Sequence, residues 1–245
     1  LNPNYTYYYK VYTVDKAFNY STASSGSGTT TASPLITVGT VSDFGNQAIN
    51  TNSGEQSYSL TGSYLTADIV VTPPSGFQIS KTSGSGYVSN PSTLTFSQVA
   101  GSVSATVYVI FSPTAVQSYS DNISHTSTGA DQNSVAVSGI GVINYYSTSS
   151  GTLENLTSWG TNTDGTGSNP SNFTNAGQIF NIRNNSAPTI AGDWTVSGTG
   201  SKVILGDGTN TVNFTVPSSY SYTGTIDISA NATLTLQNTT IPTFG

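Results

Sequence analysis

Between Gln56 and Gly141 the chain runs through QSYSLTGSYLTADIVVTPPSGFQIS, TVYVIFSPTAVQSYSDNISHTS and SVAVSGIG, alternating apolar and polar residues between Pro, Gly and Ser breaks. A period of two is the signature of a strand that buries one face and wets the other. In SATVYVIF, Ala105, Val107, Val109 and Phe111 fall on one face and Thr106, Tyr108 and Ile110 on the other; in ADIVVTPP, Ile69 and Val71 oppose Val70. Pro73 and Pro74 end a strand, because proline donates no ladder hydrogen bond. Gly76 and Gly84 fall in turns, where positive φ is easily reached. Eight such runs, LITVG, QSYSLTG, ADIVVTPP, FQIS, STLTFS, VSATVYVIFSP, YSDNISHTS and SVAVSGIG, predict a β-sandwich over residues 35–142.

Charge narrows the class further. Only 7% of the 245 residues are charged, against roughly 25% in typical soluble domains. Solubility therefore rests on Ser, Thr, Asn, Gly and Tyr, residues that suit strands and turns better than helical surfaces. The five bases, Lys10, Lys16, Lys81, Arg183 and Lys202, are scattered singly in a chain of net charge −6. Nucleic acid and anionic membrane surfaces both require clustered Lys and Arg, so neither is an expected partner. No apolar run approaches the ~20 residues of a membrane span, and the opening LNPNYTYYYK does not read as a signal peptide. With no Cys and no Met the chain has no disulfides, no thiolate chemistry and little to oxidise, which fits an extracellular location. Its N-x-S/T sequons are expected by chance in so Asn-, Ser- and Thr-rich a sequence.

The opening segment places Leu1, Pro3, Tyr7, Tyr9 and Val11 on alternating positions. It resembles the closing hairpin of a fibronectin type III domain, with Tyr7 matching the corner Tyr, Tyr9 and Val11 the inward residues, and Lys16 to Tyr20 the turn before the last strand. Residues 1–24 are thus expected to be the C-terminal part of such a domain. Residues 25–34, mostly Ser, Gly and Thr, read as a flexible linker.

Residues 35–142 resemble the secreted immunoglobulin-like repeat of Bacteroidetes surface proteins, through LTGSYLTADIVVTPPSGFQIS, VYVIFSPTAVQSYSDNISHTS and VAVSGIG. Those repeats are scaffold or binding modules, so no catalytic residue transfers. From residue 143 loops dominate at first, with Tyr145, Tyr146, Leu153, Leu156, Trp159, Phe173, Ile179, Phe180 and Ile182 irregularly spaced, as in a segment that closes the end of a β-structure. Short strands then recur about every ten residues in TIAGDWTVSG, KVILGDG, VNFTV, GTIDISA and TLTLQNTTI, without helical interludes. Ile204, Val212, Phe214, Ile226, Ile228, Leu234 and Leu236 would fill a narrow interior, with Asn210, Asn231 and Asn238 at turns. The pattern predicts a partial parallel β-solenoid over 143–245, with half a β-sandwich as the alternative. It resembles the solenoid-like modules that follow such repeats in large Bacteroidetes proteins.

Candidate chemistry is sparse. A glycosidase needs two carboxylates across a cleft, and the acids, Asp15, Asp43, Glu55, Asp68, Asp121, Asp131, Glu154, Asp164, Asp193, Asp207 and Asp227, lie mostly beside turn residues, where Asp commonly bonds its own backbone. Asp68 and Asp227 are expected on solvent faces of strands. His125, the one histidine, makes no zinc site without cysteines, and no nucleophile elbow accompanies it. Calcium is the one ion worth naming, with Asp164 in TNTDGTGSN and Asp207 in LGDGTN as candidate ligands, though the spacing of a helix–loop–helix calcium motif is missing. Trp159 and Trp194 are the candidates for stacking on sugars.

The sequence thus reads as an all-β piece of a longer polypeptide: a fibronectin type III end, an immunoglobulin-like sandwich and a partial β-solenoid, like beads on a string. The resemblance implies a non-catalytic module array of a large adhesin or stalk protein at the cell surface, exported by type IX secretion, with a surface glycan or protein as ligand. Two alternatives stand beside it. One is an accessory region of a secreted hydrolase whose catalytic domain lies elsewhere; the other is a secreted cargo captured with its export machinery.

Overall fold

A computed structural model describes residues 5–237 of the chain. The corner residues Leu1 and Pro3, the turn expected at Asn238 and the end at Gly245 lie outside them. The fold is all-β; the helical element among the described residues is a single 3-10 turn, Leu156–Ser158, capped by the Asn155 side chain.

The N-terminal segment is a hairpin. Strand β1 (Thr6–Val11) pairs antiparallel with β2 (Ser24–Thr29), from Thr6 opposite Thr29 to Val11 opposite Ser24. The expected turn at Lys16–Tyr20 is held by Asp15, whose Oδ1 accepts from the N–H groups of Ala17 (2.8 Å) and Asn19 (2.9 Å). Part of the stretch read as a linker, 25–34, is therefore strand, and only 30–34 lie outside it. The reason is the partner. Gly26 has no side chain to resist the Tyr9 ring, which lies where a Cβ at Gly26 would come within 2.6 Å of it. Among the described strands β1 and β2 pair only with each other, and Tyr8 (84% exposed) and Phe18 (80%) stand in solvent.

The sandwich follows as β3 (Leu35–Val38), β4 (Asn46–Ala48), β5 (Gln56–Ser63), β6 (Ile69–Thr72), β7 (Phe77–Ser80), β8 (Val88–Ser89), β9 (Leu94–Phe96), β10 (Val103–Phe111), β11 (Ser118–Thr126) and β12 (Asn133–Ser147). One sheet runs β3-β5-β10-β7-β8; the facing one joins β9, β6, β11, β12 and β4. All eight expected runs are strands. The additional ones, β4 and β8, are three and two residues long and too short to show a period. Val107, Val109 and Phe111 from β10 meet Ile69, Val71, Ile123, Val135 and Val137 in the core between the sheets, as the alternation requires.

Strand β12 is fifteen residues long and does not stop at the sandwich. Its first half pairs antiparallel with β11, as far as Ile140 opposite Ser118. Its second half pairs parallel with β14 (Gln178–Ile182), Ile143 opposite Gln178 through Tyr146 opposite Asn181. The Gly141 N–H donates to Gln117 and the Ile143 N–H to Gly177, while Ile140 donates to Gly45. Because backbone groups point to alternate edges along a strand, β11 and β14 follow one another on one edge of β12, and β4 lies on the other. The expected boundary at 142/143 therefore falls inside a strand, and this joint is not a bead-and-string junction. Gly141 makes it possible: a Cβ there would lie 2.2 Å from the Ala115 carbonyl oxygen.

Beyond β12 come β13 (Trp159–Gly160), β15 (Trp194–Thr195), β16 (Lys202–Leu205), β17 (Val212–Val216), β18 (Tyr222–Thr223), β19 (Ile226–Ile228) and β20 (Ala232–Leu236). Apart from β13, which pairs antiparallel with β12, their ladders are parallel: β14 with β16, β16 with β19, β15 with β18 and β17 with β20. Ile179 faces Lys202 and Val203 faces Ile226, a repeat of 23 residues along this face. Between the faces lies a second core of Trp159, Phe180, Trp194, Val203, Leu205 and Phe214, among others. Val212 and Phe214 point inward as expected. In β16, however, Val203 and Leu205 are inward instead of Ile204, and Ile228 is 53% exposed instead of filling the interior. In a run such as KVIL both parities are apolar, so the pattern leaves the phase open.

Candidate functional site

The strongest polar feature lies inside the sandwich. Tyr58 on β5 and His125 on β11 point inward from opposite sheets, and the Tyr58 hydroxyl is 2.7 Å from His125 Nε2. His125 Nδ1 sits 3.3 Å from the Asn133 carbonyl oxygen. A carbonyl only accepts, so Nδ1 carries the proton and Nε2 accepts from the tyrosine. Asn133 in turn donates through Nδ2 to the Ile36 carbonyl at 3.0 Å, so the link reaches β3. Burial pushes the His125 pKa down to about 4 and raises that of Tyr58. With its imidazole wholly buried, this histidine ties two sheets together and presents no atom to a substrate.

The calcium candidates hold their own turns. Asp164 Oδ1 accepts from Thr166 N (2.9 Å) and Oγ1 (2.6 Å), chiefly the hydroxyl keeping its pKa low. Asp207 Oδ1 accepts from the N–H groups of Thr209 (2.9 Å) and Asn210 (3.0 Å), which likewise lower its pKa. Among the described residues no three His, Asp or Glu side chains gather as a metal site would need. Asp68 precedes β6 and accepts from Ser97 Oγ (3.1 Å) and Gln98 N (3.0 Å). Asp227 lies on β19, half exposed, with Lys202 Nζ at 2.5 Å.

Glu55, which the pattern did not single out, has the richest set of donors. Ser83 Oγ (2.6 Å), Gly84 N (2.7 Å) and the Tyr87 hydroxyl all donate to it, holding its pKa below the usual carboxylate range. Partial burial and this carboxylate push the Tyr87 pKa up to about 12. The contacts close the loop between β7 and β8 and leave Glu55 no oxygen dedicated to a ligand.

Both tryptophans contradict the sugar-stacking expectation. Trp159 and Trp194 are 0% and 1% exposed, packed with centroids 5.7 Å apart among Phe173, Phe180 and Tyr222. The Trp159 Nε1–H donates to the Leu153 carbonyl at 2.8 Å. Neither ring has a face in solvent. Exposed aromatics concentrate instead on the N-terminal hairpin, where Tyr7 and Tyr9 border a shallow depression over Gly28 and Tyr12 meets Tyr20 edge to face at 6.4 Å. Tyr5, Tyr8, Tyr9, Tyr12, Phe18 and Tyr20 are each at least half exposed.

The fold and these sites define an all-β protein with a two-sheet sandwich joined without a break to a region of parallel strands. No protein-family model matches the chain, and no curated protein matches it. Among solved structures it is similar to the ASH / PapD-like domain of human CEP192 (PapD-like domain 7), at 11% identity and a TM-score of 0.27, over 44% of this chain and 84% of that one. No helix among the described residues is long and apolar enough to cross a membrane.

Proposed function

We propose that the chain is a non-catalytic module array from a large extracellular adhesin or stalk protein of the Bacteroidetes kind, exported by type IX secretion. In this reading β1 and β2 are the closing hairpin of a fibronectin type III domain, β3 to β12 an immunoglobulin-like module, and β13 to β20 the first coils of a parallel β-solenoid. The 23-residue repeat from Ile179 to Lys202 and from Val203 to Ile226 supports the last of these. The observation that carries the proposal is β12, which passes from one module into the next as a single strand. A strand shared by two modules keeps a fixed spacing between them, which is what a stalk requires. A sparsely charged polar surface and an aromatic hairpin suit contact with a surface glycan or protein.

Antiserum raised against the chain tests the proposal on cells of the source organism. Labelling of intact cells, removed by external protease, is the expected result. Labelling that appears only after lysis would overturn it.

A further inference from the structure

We infer that the edge of β10 beyond the end of β7 is a strand-addition site for an extended segment of a partner protein. β7 pairs with β10 only from Tyr108 opposite Ser80 to Phe111 opposite Phe77, whereas β5 pairs with it from Val103 to Val109. Among the described strands, the stretch of β10 from Val103 to Val107 therefore has a neighbour on one edge alone. Alternation decides which backbone groups face the gap. The Ser112 N–H donates to the Gly76 carbonyl (2.7 Å) on the β7 side, and the Phe111 N–H to Ser53 Oγ (2.9 Å) on the β5 side. The register is unbroken, so the N–H and C=O groups of Ser104 and Thr106 point into the gap, where no group among the described residues meets them. Two such donor–acceptor pairs are what an added antiparallel strand uses. The chain after β7 turns away because Ser80 Oγ accepts from the Thr82 N–H (2.9 Å). Ser83 and Gly84 then carry it across β10 to Glu55.

The gap opens onto a depression of about 520 Å³ floored by Phe96, Val103 and Ala105, with Val99 (78% exposed) on the rim. Lys81 is the one charged residue lining it among those described. Its Nζ lies 4.9 Å from the Phe96 ring centroid and donates to the Thr95 carbonyl, which leaves two of the three ammonium hydrogens for a ligand. These features specify the occupant. A strand antiparallel to β10, as β7 is, starts beside Lys81, and an acidic residue there meets the ammonium. The residues opposite Thr106 and Ser104 exchange hydrogen bonds with them and lie beside two exposed side chains; polar residues suit both places, and proline is barred from them. The residue opposite Ala105 points into the depression and is apolar. Lys81 bounds the gap at one end and the loop 97–102 at the other, so a short extended segment fits where the edge of a folded sheet does not. The site rests on the sandwich alone and stands whether or not the protein is a surface stalk.

Amide exchange followed by NMR on the isotope-labelled full chain tests it. Without ligand, the amides of Ser104 and Thr106 should exchange fast beside protected ones at Ala105 and Val107. The probes are acetylated, amidated hexapeptides Asp-Thr-X-Thr-Val-Ser, with X as Ala, Val, Ile, Leu or Phe placed opposite Ala105. At saturation at least one of them should slow exchange at Ser104 and Thr106 by about fivefold or more, the protection that a hydrogen bond of ordinary net strength gives. Methylating the peptide nitrogen of the Thr opposite Thr106 should abolish this protection, and methylating that of X should not. Lys81→Gln, or Asn in place of the peptide's Asp, should weaken binding by about twofold to fivefold; unchanged binding in both overturns the acidic residue's part. No protection from any of the peptides, or the same effect from both methylations, would overturn the site. Protection of these amides that grows with protein concentration in the absence of peptide would make a second copy the occupant and overturn the partner segment.

Discussion

At the level of single residues, polar groups in this protein mostly hold the chain to itself. His125 is neutral in the fold because burial lowers its pKa to about 4 from 6.5. The unfolded chain therefore binds the extra proton between those values, and stability is lost as pH falls from about 6.5 toward 4, by about 3 kcal/mol in all. Melting curves at pH 7 and pH 4 should show this loss, and His125→Phe should flatten the dependence, leaving only what the carboxylates contribute. Trp159 and Trp194 should emit as buried indoles and resist quenching by acrylamide. Truncating Trp194 to Ala should cost about 3–5 kcal/mol, read as a shifted denaturant midpoint. The sequence placed His125 on a strand but could not show that Tyr58 lies opposite it, because the two are 67 positions apart. Nor could it show that the tryptophans are inside: Trp159 stands in a stretch of irregular spacing and Trp194 in TIAGDWTVSG, a run too short in apolar residues to say which face is buried.

At the level of elements, alternation was a sufficient guide wherever a strand was long and wet on one side. Val107, Val109 and Phe111 faced inward as their spacing required, and so did Ile69 and Val71. The guide failed where side chains are small or uniformly apolar. Strand β2 looks like a linker in sequence because SSGSGT has no apolar face of its own; the tyrosines of β1 order it. Strand β4 is too short for a period. In β16 both parities of KVIL are apolar, and Val203 and Leu205 point inward where Ile204 is expected to. Composition changes at 142/143, but the backbone of β12 runs straight through that point. Gly141 is where that continuity is most exposed to substitution. Gly141→Ala forces a Cβ against the Ala115 carbonyl and should destabilise the protein by about 3 kcal/mol. Because β12 belongs to both modules, their unfolding transitions should move together in the calorimeter.

At the level of the whole molecule, the described chain is a hairpin, a sandwich and a parallel-stranded region, the last two sharing one strand. Two cores follow one another along that shared strand, Val135 and Val137 entering the one between the sandwich sheets and Tyr145 the one among the aromatic residues from Tyr145 to Tyr222. The hairpin belongs to neither core, so stability should reside in residues 35–237. Deleting residues 1–30 should therefore leave the main melting transition where it was. The account depends most on β12 acting as a continuous spine, and amide hydrogen exchange across Ile140–Tyr146 tests this directly. Protection as strong at Val142 and Ile143 as at Val135 and Val137 is the predicted result. Fast exchange confined to residues 141–144, with protected strands on either side, would show a hinge at this point and contradict the account.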